Sequence, residues 1–209
     1  MANDFPDWTC MDEPAYFRYD DGYEPHEMYL PYIRRGKGEE PHYTPEDEER
    51  IINQQIRASQ GFDIDFKMFR CIFNYQPLNF DDNNQFFTGT ETTRELVERL
   101  TRESLEGFNE KKGTKYQLVK FVRAHYNETC CPAIMFYLTF QGKDPSEDEP
   151  KVFQTKICHF YHDLPKFVSC NLKPEKKVHS IETAEKEDAK KPRLTEALEQ
   201  TRSILTESI

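Results

Sequence analysis

Two groups of residues in this chain have the types needed for chemistry. Cys130 and Cys131 adjoin each other in the stretch TCCPAIMFYLTF, Thr129 to Phe140, and Cys158, His159, His162 and Cys170 follow downstream. Thiolates and imidazoles are zinc ligands, but a structural site usually takes two thiolates from one turn at Cys-x2-Cys spacing, which these cysteines lack. Neighbouring strand residues also point to opposite faces, which separates such pairs further. In the second pattern, Cys130 or Cys131 would be a nucleophile and His125 its base. The sequence offers neither an oxyanion hole nor a third group to orient that base. Structural thiols are the simpler reading. No catalytic residue, metal or cofactor is expected.

What remains of that stretch is its shape. Cys-Cys-Pro is a corner, and from Ile134 onward Ile134, Phe136, Leu138 and Phe140 alternate with Met135, Tyr137 and Thr139, as in a half-buried strand. The elements around it follow from local patterns. Thr44 can cap a helix, with Pro45 at its first position and Asp47 returning the hydrogen bond; Ile52 and Ile56 stripe it as far as about Ser59, and Gly61 stops it. Phe62–Tyr75 is rich in β-formers in broken alternation, closed by Pro77. Thr90–Asn109 repeats apolar or small residues at helical spacing (Val97, Leu100, Ser104, Phe108), with Leu96 and Leu105 on the shoulders and Gly113 at the end. Ser104, small and central, would let a sheet come close to the helix.

Strands are expected at 116–126, with a slip of phase near Lys120, and at 134–140, 152–161 and 166–172, joined by an acidic turn at 142–150. One long helix followed by antiparallel strands makes an α+β domain, the helix lying across the sheet.

Bulk properties set the outer limits. The 209 residues are 36% hydrophobic and 32% charged, enough for one medium domain with polar appendages. The net charge of −10 comes from residues 1–49, with 14 acidic and 4 basic residues, whereas 50–209 carries 24 of each. A neutral domain with an acidic lead-in argues against nucleic-acid or membrane-surface binding, which needs a basic face. No apolar run approaches the roughly 18 residues of a membrane span. Residues 1–43 hold six of the 11 tyrosines among acids and prolines, and read as a leader that is largely disordered or extended against the domain. Residues 175–193 read as a charged linker containing KKPR (190–193), and 194–209 as a short amphipathic helix. The start of the chain has no signal-like segment, so a cytoplasmic or nuclear location with reduced cysteines is expected, and the sequon at Asn127 would be idle.

At LTRESLEGFN, Leu100 to Asn109, the order of residues resembles the signature helix of plant cystatins, Leu-Ala-Arg-Phe-Ala-Val-x-Glu-His-Asn with variants. Leu100, Thr101, Arg102, Ser104, Phe108 and Asn109 fit, Leu105 is conservative, and Glu103 and Gly107 depart. KYQLVKFVRA, MFYLTF and VFQTKI fall in register with the second to fourth cystatin strands. SQGFDIDF and CNLKP look more like the divergent plant cystatin-related proteins, so the resemblance covers about residues 44–174. It implies a cystatin-like fold, a long α-helix packed across a curled antiparallel sheet of four to five strands, with flexible arms.

Inhibitors of that family enter the cleft of a papain-like cysteine protease with three edges: a glycine-bearing N-terminal strand, a Gln-x-Val-x-Gly hairpin and a Pro-Trp hairpin. Glycine lets backbone approach backbone, and tryptophan supplies buried area at low entropic cost. Carried onto this sequence, the first hairpin tip is Thr129, Cys130, Cys131, Pro132 and Ala133, without the glutamine and glycine. The second is Tyr161 and His162 in place of Pro-Trp, and Gly89 is the candidate for the N-terminal glycine. The resemblance therefore implies a non-catalytic protein-binding module with a degenerate wedge. The alternative is a papain-like protease inhibitor with altered loops, and a thiol or zinc enzyme ranks third. The partner in the first two readings is another protein, in the alternative a papain-like cysteine protease.

Overall fold

The computed structural model describes residues 14–15, 41–70, 72, 74–81, 91–128, 133–161 and 163–174. The elements are α1 (Pro45–Ser59), a 3-10 turn (Phe66–Met68), β1 (Tyr75–Pro77), α2 (Thr93–Lys112), β2 (Gln117–Glu128), β3 (Ala133–Lys143), β4 (Lys151–Phe160) and β5 (Lys166–Leu172). They belong to one compact unit, Met1–Lys173. The expected linker at 175–193 and helix at 194–209 lie outside the described residues.

Both helices begin and end as their caps dictate. Thr44 Oγ1 accepts from the Asp47 amide at 3.2 Å, and Pro45 opens α1. Thr92 and Glu95 form a reciprocal capping box on α2, and Gly113 closes that helix at φ +68°. The five strands form one antiparallel sheet in the order β1-β2-β3-β4-β5. The α+β reading is therefore correct, with all five strands in one sheet. The slip near Lys120 is a real register shift between Leu118 and Lys120, and a second follows between Phe121 and Arg123.

α2 lies on one face of the sheet. Leu96, Val97 and Leu100 bury against Tyr126, Ile134, Phe136, Leu138 and Ile157. Farther along, Leu105 meets Phe140, Phe153 and Tyr116, with Phe108 at the margin. Between the two clusters sits Ser104, whose hydroxyl lies 2.6 Å from Thr155 Oγ1. Thr155 spends its own proton on the Ser169 carbonyl (2.8 Å), so Ser104 is the donor. A small residue at this crossing thus allows close approach and joins α2 to β4.

The opposite face departs from expectation. A half-buried β3 would leave Met135, Tyr137 and Thr139 partly in water, yet all three are buried. Met135 and Tyr137 are covered by a second layer built from α1 (Ile52, Ile56) and from Phe62, Ile64, Phe69 and Ile72. Most of Phe62–Tyr75 is accordingly a packed loop, and only Tyr75–Pro77 becomes strand. Its alternating apolar residues are there to fill space against the sheet. Among the described residues of the leader, Ala15 is buried, its amide donates to Asn53 Oδ1 (3.1 Å), and the Pro14 carbonyl accepts from Asn74 Nδ2 (3.0 Å). No helix among the described residues is long and apolar enough to cross a membrane.

Candidate functional site

Strand register decides which loops can share a surface. Glu128 pairs with Ile134, Ile134 with His159, and Ala133 with Phe160, so the end of β2, the start of β3 and the end of β4 sit side by side at one end of the sheet. The entry to β1 joins them there, because the Glu128 amide donates to the Asn74 carbonyl at 2.9 Å and Tyr75 pairs with Asn127. The first half of α2 reaches the same end, where Leu96 and Val97 pack with Ile134.

The β4–β5 connection offers the exposed apolar surface of this rim. Tyr161 is 41% exposed and Leu164 is 81% exposed. Asp163 braces the turn by accepting from the Leu164 amide at 2.7 Å. Burial pushes the Glu128 carboxyl above its ordinary range, and burial followed by the Glu128 charge raises the Tyr161 hydroxyl. Along the α2 side, Arg99 spans two carboxylates: its Nε and Nη2 donate to Glu91 at 2.9 and 3.0 Å, and its Nη1 to Glu103 at 3.1 Å. Those bonds to Glu91 hold the guanidinium firmly protonated. His159 stands behind this network, its pKa lowered by burial and then by Arg99.

The residues expected from the sequence separate on this frame. Tyr161 stands on the rim, directly after β4. Ala133 does not: it is the first residue of β3, 2% exposed, and its methyl packs with Met135 and Tyr137 in the layer beneath α1. Its place is the core, because β3 starts one residue earlier than the alternation from Ile134 indicates. Thr129, Cys130, Cys131, Pro132 and His162 lie outside the described residues. So does Gly89, which by chain order follows β1 and precedes α2. Leu164 was not anticipated. Its signal was present in Asp163-Leu164-Pro165, an apolar residue held in a turn by an acid and a proline.

His125, the base considered for the thiol pair above, is fully buried on the far face. Its Nε2 donates to the Gly61 carbonyl at 2.6 Å, and its ring stacks on Tyr137 with centroids 5.2 Å apart and meets the Phe66 edge at 5.5 Å. Burial first, then the Arg123 charge, depress its pKa to about 4 despite the Gly61 carbonyl and Asp63. Its proton-bearing nitrogen is thus committed to the fold. Of the residues considered for zinc, Cys158 joins the cluster under α1, whereas its neighbour His159 faces Phe136 on the α2 side.

No protein-family model matches the chain. Over 133 residues it is 27% identical to a UPF0725 protein of Arabidopsis thaliana, a match that covers 61% of this chain and 34% of that protein. The chain therefore spans about a third of the length of the curated relative it matches.

Proposed function

We propose that the chain is a non-catalytic, cystatin-like module that binds another protein with the hairpin end of its sheet. The observation that carries this reading is the meeting of the ends of β2 and β4, the start of β3 and the entry to β1 on one rim, with Tyr161 and Leu164 exposed there. The order of the sheet and the seat of α2 across it support cystatin-likeness. The layer under α1 is an addition to that plan, and it closes the sheet's second face to partners.

The wedge chemistry differs from that of a protease inhibitor. Ala133, the residue aligned with the inhibitors' hairpin glycine, is buried in the core and offers no backbone to a partner, and Tyr161 aligns with part of the rigid Pro-Trp pair. Papain titrated with the full chain is expected to keep its activity up to micromolar concentrations, and nanomolar inhibition would instead make the chain an inhibitor. Affinity capture from plant tissue complements this. A partner retained by the full chain should be lost from Tyr161→Ser and Leu164→Ser, both of which leave the core intact. A partner held equally by both variants would remove the rim from the reading.

A further inference from the structure

A second surface lies between the C-terminal half of α2 and β5, and it shares no residue with the hairpin rim. A groove of about 410 Å³ runs there. Buried Ser104 and half-buried Cys170 line it, with Gly107 and Phe108 on the α2 side and Phe167 on the β5 side. Phe167 is 41% exposed and reaches this face through a bulge. Lys156 pairs with Ser169 and Ile157 with Phe167, which makes Val168 an extra residue in β5. Paired residues share a face, and Ile157 packs under α2. Without the extra residue, alternation from Cys170 would carry Phe167 to the α1 face.

Gly107 is a second departure. A glycine inside a helix weakens it relative to alanine, yet a Cβ at Gly107 would meet nothing within 4 Å. Packing does not require the missing side chain, and the space its absence leaves open is this groove. Charge is the third. On α2, Arg94, Arg99 and Arg102 each meet a carboxylate, those of Asp81, Glu91 and Glu98. Lys111 and Lys112, which line the groove, meet none among the described residues, and no acidic residue lines it. Basic residues in a last turn also answer the helix dipole, but that accounts for neither the glycine nor the bared phenylalanine.

We propose that this groove binds a small aromatic carboxylate. The ligand's ring would lie over Gly107 between Phe108 and Phe167, and its carboxylate would pair with Lys111 and Lys112. The volume is at the low end for ligand pockets, roughly 300–1,000 Å³, which suits one or two fused rings better than a peptide strand.

The test titrates the full, isotope-labelled chain with 2-naphthoate, using 2-naphthamide as the uncharged control and acetate as the ringless one. Saturable shifts of the Gly107, Phe167 and Cys170 amides are expected with naphthoate, and binding at least tenfold weaker with either control. Lys111→Glu combined with Lys112→Glu, both at exposed positions, should weaken naphthoate about tenfold or more. Gly107→Leu should abolish binding while the thermal midpoint holds or rises, because leucine favours the helix and has open space there. The proposal is overturned by any of five results: no saturable shift, shifts centred elsewhere, naphthamide bound as well as naphthoate, binding indifferent to the lysine changes or to Gly107→Leu, or Overhauser contacts in the free protein that already fill the groove with another part of the chain or a second copy.

Discussion

His125 should make the fold sensitive to mild acid, by an amount that its surroundings allow to be worked out. The neutral ring carries its proton on Nε2 for Gly61, and Nδ1 is buried without a hydrogen-bond partner among the described residues. A second proton must therefore go onto a nitrogen facing apolar surroundings, which is why burial leads the causes that lower its pKa from 6.5 to about 4. Because the folded value lies below the unfolded one, the unfolded chain binds more protons between those limits. The stability contributed is present in full above pH 6.5 and is lost as pH falls toward 4. At 1.36 kcal/mol per pH unit, the loss is about 3 kcal/mol. Other groups titrate nearby: His159 acts in the same direction, and Glu128, with its raised pKa, acts in the opposite one. The assay removes them by subtraction. Urea unfolding of the wild type and of His125→Gln, whose amide can still donate to Gly61, is measured from pH 7.5 to 4. The wild type should be the more stable at neutral pH, and its advantage should shrink by about 3 kcal/mol across that range. An advantage that stays constant with pH would refute the reasoning, as would an NMR titration placing the folded His125 near 6.5.

Two further substitutions probe the two faces of the sheet. Gly61 sits at φ +85°, and a Cβ there would overlap the Tyr137 ring, so Gly61→Ala should destabilise by more than 1 kcal/mol and disturb the His125 ring signals. A midpoint shift within error would show that Tyr137 can give way. Ser104→Leu would place three extra carbons at the tightest point between α2 and β4 and leave Thr155 without its donor. A loss of about 1–3 kcal/mol is expected in thermal or urea unfolding, larger than for Ser104→Ala, which loses the hydrogen bond alone. Equal losses for the two would assign the site's importance to the hydroxyl and not to the spacing.

How far the sequence could be read depended on whether local rules or distant partners decided each segment. α2 was legible because its stripe, its threonine cap and Gly113 all point to the same helix, and Ser104 stood out as a small residue in an apolar row. The bulge near Lys120 was legible because a phase slip is visible in β2 itself. β3 was read only on the face that alternation marks. Met135 and Tyr137 tolerate water or burial alike, and what buries them is a layer contributed from more than sixty residues upstream at α1. Phe62–Tyr75 failed for the same reason. Its β-formers were selected by the surface they fill, and its backbone turns too often to pair.

That second layer has a consequence for recognition. A two-layer domain of one helix on one sheet would expose a broad face, and Tyr137, Met135 and Cys158 would be candidates for contact. Here α1 and the packed loop bury that face, and Lys173 fastens the loop to the end of the sheet through Asp63 at 2.7 and 2.9 Å. With α2 on the other face, the surfaces left to a partner are the ends and edges of the strands. Contact by loops requires apolar side chains held in water, as at Tyr161 and Leu164.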